Sequence, residues 1–170
     1  YNGYELVQDW DIESAEKISE QLLKKYPKSG DAHFLQARIE FMKGNYERSW
    51  EMLLKVGDNF KEVKDFKNRV DATRKASTNF ISKESENFIF RFEEGPDEIL
   101  IHYAEEVLEK SYQVLGEILN YFPKEKVLVE IYPDQKPFSQ ISPLTLKDIL
   151  TSGTVALCNY NRIMMISPGS

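Results

Sequence analysis

The chain has 170 residues, and none of its apolar stretches reaches the about 18–20 residues that a membrane-spanning helix needs. Its composition, 41% hydrophobic and 29% charged, is typical of a soluble globular protein. The formal net charge of -6 disfavours nucleic acid or an anionic membrane as the main partner, because both are bound through clustered Lys and Arg. The single cysteine leaves the compartment open between the cytoplasm and the bacterial cell envelope.

Apolar residues at helical spacing predict five helical segments in the first half of the chain. These cover Tyr1–Asp9, Asp11–Tyr26, Asp31–Met42, Tyr46–Val56 and Glu62–Ser77. Pro27 ends the second segment, and Gly44 forms the turn between the third and the fourth. The fifth segment is more polar than the others, so we expect a capping or linker helix that packs on one side only.

A period of 34 residues relates the first two helices to the next two. Four pairs of residues stand in corresponding positions at this distance: Gly3 and Ala37, Ile12 and Tyr46, Ala15 and Ser49, Leu22 and Val56. A fixed period of this length is typical of stacked helix pairs.

The stretch Asp31–Asp58 resembles a tetratricopeptide repeat. The resemblance depends on the small residues Ala37 and Ser49, on Gly44-Asn45-Tyr46 at the turn, and on Tyr26-Pro27, which closes the preceding repeat. It covers roughly the first 58 residues, about one and a half repeats. The third helix departs from the family pattern, since Gln36 and Glu40 stand where a large apolar and an aromatic residue are preferred.

This resemblance implies a concave groove that binds a protein or peptide. The residues that it assigns to the groove are Asp31, Phe34, Arg38 and Phe41. In the alternative interpretation, Phe34 and Phe41 pack against the helix Glu62–Ser77 or the following domain. Aromatic residues at helical spacing belong to a core more often than to a ligand site.

The second half has an α+β pattern. Alternation of Phe88, Phe90 and Phe92 with polar or smaller residues predicts a strand, and Gly95-Pro96-Asp97 precedes a long helix with Asp97 and Glu98 in its first turn. Further elements are a strand at Lys126–Tyr132, a short helix after Ser142-Pro143 with a capping box of Thr145 and Asp148, and a β-hairpin of Thr154–Cys158 and Arg162–Ile166.

The fold class is therefore α+β, with helical hairpins followed by a small mixed sheet, a long helix and a β-hairpin. We expect the helices to cover one face of this sheet. The predicted domains are residues 1–80 and 81–170.

No catalytic or metal-binding residue can be assigned. His102 and Glu106 are one helical turn apart, as metal ligands on a helix often are, but a third ligand is not identifiable. Cys158 is the only cysteine, which excludes an intrachain disulfide, and no histidine is predicted beside it to activate a nucleophile. We expect no cofactor in this chain.

Two segments near the C-terminus, Gly153–Asn159 and Arg162–Pro168, resemble the opening part of a peptidase-MA-like domain of the gluzincin (thermolysin-type) metallopeptidases. The zinc-binding motif of that family, H-E-x-x-H, is missing from the 170 residues, so the resemblance implies zinc only for a longer parent protein whose motif follows Ser170. It also implies that Val155, Ala156 and Leu157 form an edge strand that pairs with extended substrate.

The sequence thus favours a bacterial-type protein-binding module fused to the non-catalytic N-terminal part of a gluzincin-like domain. On this interpretation the chain is a fragment and catalyses nothing. One alternative is a piece of an active zinc metallopeptidase, and a second is a structural module that assembles with copies of itself.

Overall fold

The computed structural model describes residues 2–95, 98–142 and 144–168. It consists of two compact units, Tyr1–Arg74 and Lys75–Ser170. The domain limits predicted from the sequence, 1–80 and 81–170, stay a prediction.

The N-terminal unit is built from helices, as predicted. They are α1 (Asn2–Gln8), α2 (Ile12–Lys25), α3 (Gly30–Met42), α4 (Tyr46–Leu53) and α5 (Lys61–Ala76), which continues past the limit between the units. Side-chain oxygens cap the starts of two helices: Asp11 accepts a hydrogen bond from the backbone of Ser14, and Ser29 accepts one from that of Ala32.

Small residues allow these helices to pack closely. Seven of the eight residues in the 34-residue pairs are buried, and Leu22, at 37% exposed, is the exception. The Oγ of Ser49 donates a hydrogen bond of 2.7 Å to the carbonyl oxygen of Ala37, which joins α4 to α3. A Cβ atom on Gly3 would lie 2.6 Å from Cδ2 of Leu35, so a side chain there would displace the end of the Leu35 side chain where α1 meets α3.

After the end of α5, the described residues of the C-terminal unit form a five-stranded mixed sheet and three helices. In chain order its elements are β1 (Phe80–Glu84), β2 (Phe88–Glu93), α6 (Glu98–Leu119), β3 (Val127–Tyr132), α7 (Gln135–Ile141), α8 (Leu146–Ser152), β4 (Ala156–Asn159) and β5 (Arg162–Ile166). The strand order is β1-β2-β3-β5-β4, in which β2, β3 and β5 are parallel and the two edge strands are antiparallel to their neighbours.

These elements confirm the predicted α+β class. The capping box of Thr145 and Asp148 is present, and Gly153 ends α8 with a φ of 67°. Strand β1 and helix α7 were not predicted. The expected roles of Pro96, Asp97 and Pro143 lie outside the described residues.

The helices lie on both faces of the sheet, so the expectation of a single covered face is wrong. On one face, Phe88, Phe90 and Phe92 of β2 pack with Ile101 of α6. On the other, Tyr132, Met164 and Ile166 pack with residues of α7 and α8. Helix α6 connects the parallel strands β2 and β3 over one face, and α7 and α8 connect β3 to the antiparallel β4 over the other.

The second face also buries a charged cluster. Glu130 is fully buried in β3, and its carboxylate lies 3.9 Å from a guanidinium nitrogen of Arg162 and 3.7 Å from one of Arg91. The hydroxyl of Tyr132 donates a hydrogen bond of 3.1 Å to the same carboxylate. A buried carboxylate needs such partners because desolvation of a lone charge costs several kcal/mol.

One carboxylate of α6 holds the turn between β1 and β2. Glu109 accepts hydrogen bonds from the hydroxyl of Ser85 at 2.6 Å, the backbone N–H of Asn87 at 2.8 Å and the side-chain amide of Asn87 at 2.6 Å. Partial burial raises the pKa of Glu109, but the hydrogen bonds from Ser85 and Asn87 outweigh it, so the pKa lies below its ordinary value.

The first prediction concerns the turn between α3 and α4. Gly44 has a φ of 77°, a conformation that disfavours any side chain with a Cβ atom. We expect Gly44→Val to lower the free energy of unfolding by about 1 kcal/mol or more, measured by urea denaturation with helical circular dichroism. Gly30→Ala is the control, because Gly30 begins α3 with open space around it and should be tolerated. An equal effect of the two substitutions would contradict the turn geometry.

The second prediction follows from the lowered pKa of Glu109. Its carboxylate stabilises the folded chain at neutral pH, and this stabilisation is lost as the pH falls through the folded-state pKa. Glu109→Gln should therefore cost about 1–2 kcal/mol at pH 7 and less at low pH, measured by urea denaturation between pH 7 and pH 3. The control is Glu86→Gln, at an exposed side chain of the same turn. If Glu109→Gln lowered the free energy of unfolding by the same amount at every pH, the proposed stabilisation by the ionised Glu109 carboxylate would be contradicted.

Candidate functional site

An open cavity of about 780 Å³ lies in the N-terminal unit, between α1, α2, α3 and the start of α5. Apolar side chains form most of its surface: Ile18, Leu22, Phe34, Leu35, Phe60 and Val63. The polar groups at its surface are Gln8, Ser29, Asp31, Arg38 and Glu62, together with the ring of Tyr4. Ligand sites commonly combine such an apolar surface with a few polar groups.

Arg38 is the central polar residue of this cavity. Its guanidinium lies 5.8 Å from the centroid of the Tyr4 ring, and one of its nitrogens is 3.3 Å from a carboxylate oxygen of Glu62. Because Glu62 is exposed, we regard this ion pair as weak and easily rearranged by a ligand.

Tyr4 connects α1 to the start of α3. Its hydroxyl donates a hydrogen bond of 3.1 Å to the backbone carbonyl of Asp31. Burial and the nearby charge of Asp31 raise the pKa of Tyr4 to about 12, against the smaller opposing effect of Arg38. The phenol is therefore a neutral hydrogen-bond donor at physiological pH.

The structure brings three of the four predicted groove residues to the cavity. Asp31, Phe34 and Arg38 line it, although Phe34 is only 6% exposed. Phe41 is 5% exposed and is not among the lining residues; its ring lies 5.4 Å from that of Phe66 and 5.4 Å from that of Tyr46. Phe34 also contacts Phe66, at 5.6 Å. Both phenylalanines thus pack against α5, as in the alternative interpretation, and their role in binding stays a prediction.

Two apolar lining residues are exposed and were not found by sequence reasoning. Phe60, at 69% exposed, precedes α5, and Leu22, at 37%, lies on α2. The available signal for Phe60 was a single aromatic residue in the polar stretch Gly57–Lys61. Such a residue has no helical periodicity, so a search based on spacing passes over it.

Gln36 and Glu40, the two residues that depart from the repeat pattern, are buried and belong to one polar network. The side-chain amide of Gln36 donates to one oxygen of Glu40, and that of Asn45 donates to the other, each at 2.9 Å. Nε of Arg48 lies 2.9 Å from Glu40 as well. Glu40 therefore joins α3 to the start of α4 through hydrogen bonds, where an aromatic residue would contribute apolar contacts.

The predicted pairing strand lies at an edge of the sheet. Ala156 and Leu157 belong to β4, which pairs only with β5 among the described strands, and Val155 precedes it. Val155 is 66% exposed, Ala156 is exposed, and Leu157 is half-buried against the core beside α7 and α8. Since the carbonyl of Val155 accepts a hydrogen bond from the backbone of Ile166, the alternating antiparallel ladder directs the N–H of Ala156 away from β5.

The residues considered for metal binding or nucleophilic chemistry do not form a site. Nδ1 of His102 lies 3.5 Å from Nζ of Lys83, and Cys158 is an exposed free cysteine. Over the described ranges, His, Cys, Asp and Glu do not come together in groups of three or more that could hold a metal ion. In the same part of the chain, no helix has both the length and the apolarity of a membrane span.

Comparison with known families matches residues 2–74 to the family described as Iml2/Tetratricopeptide repeat protein 39. The match covers α1 to α4 and nearly all of α5, so the N-terminal unit is similar to a tetratricopeptide-repeat family. Neither the curated proteins nor the solved structures that were searched gave a match to this chain.

Proposed function

We propose that the chain is a protein-interaction module whose N-terminal unit binds a peptide segment of another protein. The observation that carries this proposal is the 780 Å³ cavity, which opens within the helices that match the repeat family. Its size falls within the about 300–1,000 Å³ of common ligand sites. The proposed binding residues are Asp31, Phe34, Arg38 and Phe60.

The side chains of the cavity suggest which peptides it would bind. Phe60 and Leu22 offer exposed apolar contacts for a large apolar side chain of the ligand. Arg38 can exchange its surface partner Glu62 for a carboxylate of the ligand, or donate a hydrogen bond to a backbone carbonyl of the ligand. We therefore expect a segment with one or two large apolar residues next to an acidic one.

The experiment is a selection of random twelve-residue peptides displayed on phage against the purified chain. Selected peptides are then measured by fluorescence anisotropy with the original chain and with Phe60→Asp. We expect about ten-fold weaker binding for this variant, because a charge replaces an exposed apolar contact of the cavity.

The control is Leu54→Asp, which introduces the same charge at a residue that is 66% exposed and outside the cavity. It should leave the affinity unchanged. Peptides that bind both variants as well as the original chain would overturn the proposal, and so would a selection that gives no common sequence pattern.

We also propose that the C-terminal unit corresponds to the non-catalytic N-terminal part of a gluzincin-like domain. Two observations favour this second role. A strand, a long helix and another strand precede the β4-β5 hairpin, which is the order of elements expected in that family. The hairpin also leaves β4 at an edge with outward main-chain groups, which suits pairing with an extended peptide.

The test of this second role uses fluorescein-labelled casein as an extended probe, with zinc added. Ala156→Pro removes an outward N–H without removing a hydrogen bond to β5, whereas Ala156→Ser keeps it. We expect Ala156→Pro to weaken casein binding several-fold, Ala156→Ser to have no effect, and no variant to cleave casein. Equal binding of casein by the two variants would contradict strand pairing. Zinc-dependent cleavage of casein would favour the alternative of an active metallopeptidase.

A further inference from the structure

Two charged residues of α3 lie at the surface of the cavity in the N-terminal unit. Of the eleven residues from Asp31 to Phe41, nine are buried; the other two are Asp31, which is exposed, and Arg38, which is half-buried. Two turns of the helix separate them, so they lie on nearly the same side of α3, about 10 Å apart along its axis. Between them, Phe34 and Leu35 line the cavity. Helix α3 therefore presents a negative charge, an apolar pair and a positive charge in a row.

The side chain of Tyr4 lies beside both charged residues. Its hydroxyl donates a hydrogen bond of 3.1 Å to the backbone carbonyl of Asp31, and its ring centroid lies 5.8 Å from the guanidinium of Arg38. Burial is the largest cause of the raised pKa of Tyr4, and the charges of Asp31 and Arg38 act on it in opposite directions. Both charges therefore act on the same part of the cavity.

The charges of the cavity are not balanced. A nitrogen of Arg38 lies 3.3 Å from the carboxylate of Glu62. The hydrogen bond from Tyr4 uses the backbone carbonyl of Asp31, so it leaves the exposed Asp31 carboxylate available to a ligand. Two carboxylates and one guanidinium thus line the cavity, and a ligand that carries only acidic residues meets a net negative charge. A ligand with one acidic and one basic residue complements both Arg38 and Asp31.

We propose that the ligand of this cavity is an amphipathic helix that carries one acidic and one basic residue two turns apart, with large apolar residues between them on the same face. The acidic residue replaces Glu62 at Arg38, and the basic residue pairs with Asp31. The apolar residues contact the exposed side chains of Leu22 and Phe60. This inference rests on the proposed function of the cavity and specifies the charge pattern and the conformation of the bound peptide.

The distance between the two charges favours a helical ligand. A helix presents its residues i, i+3, i+4 and i+7 on one side over about 10 Å, which is the arrangement of the matching residues on α3. In an extended peptide, about 10 Å corresponds to three residues, and side chains three positions apart point to opposite sides. At this distance an extended peptide directs only one of its two charges towards the cavity.

The experiment compares the binding of three synthetic helices to the full chain by fluorescence anisotropy. The first has glutamate, two leucines and lysine at positions i, i+3, i+4 and i+7 of an alanine-rich peptide of about 16 residues. The second has the same composition, but its lysine stands two positions further on, on the opposite side of the helix. The third has glutamate at both charged positions. We expect the first to bind about five-fold more tightly than either of the others, with differences that shrink at high salt.

Variants of the chain test the role of Asp31. With Asp31→Lys the order should reverse, so that the third peptide binds more tightly than the first. With Asp31→Asn the preference between these two peptides should be lost without a reversal. Glu20→Lys is the control, because Glu20 is exposed on the side of α2 opposite to Ile18 and Leu22 of the cavity, and it should leave the order unchanged. Circular dichroism of each variant establishes that it is folded.

The outcomes separate this inference from the proposed function. Equal affinities for the first and second peptides, or an order that Asp31→Lys leaves unchanged, would overturn the inference. Binding of the phage-selected peptides without binding of any of the three helices would overturn it as well, and the cavity would remain the binding site. The proposed function fails together with the inference if Phe60→Asp changes the affinity of neither the helices nor the selected peptides.

Discussion

The N-terminal unit depends on the close approach of its helices at small residues. Ala37 accepts a hydrogen bond from Ser49 at 2.7 Å, and a Cβ atom on Gly3 would lie 2.6 Å from Leu35. These contacts fix α1 and α4 against α3, the helix between them in the stack. Tyr4 follows Gly3, and its ring lines the cavity beside the guanidinium of Arg38. Gly3 and Leu22, which belong to the 34-residue pairs, line the same cavity.

The sequence predicted the helices of this unit well because their signals are local and repeated. It could not decide which of the aromatic residues on α3 would remain accessible. Phe34 and Phe41 are seven residues apart and lie on one face, yet Phe66 covers both rings and Phe41 is excluded from the cavity. Spacing defines a face of a helix, whereas exposure depends on the distant segment that packs there. Phe60 is the opposite case, an exposed cavity residue that was not predicted. It lies in a loop, which has no periodic pattern.

In the C-terminal unit, too, the elements with local sequence signals were predicted, and those that depend on distant contacts were not. Strand β2, helix α6 and the β4-β5 hairpin have their own alternation, helical period or turn residues, and all were predicted. Strand β1 was missed because Phe80 and Ile81 are followed by three polar residues, and its stability comes from pairing with β2. The distribution of helices over the two faces depends on how α6 connects β2 to β3 and how α7 and α8 connect β3 to β4, about which periodicity carries no information.

Opposite charges are paired locally in the candidate cavity. Arg38 and Glu62 are 3.3 Å apart, so a ligand meets both signs within one contact and gains little from long-range attraction. Association at the cavity should therefore depend on shape and on apolar contact, to which the exposed side chains of Phe60 and Leu22 contribute. A ligand carboxylate gains from Arg38 only when it displaces Glu62, so an acidic residue contributes to affinity where the apolar contacts already position it.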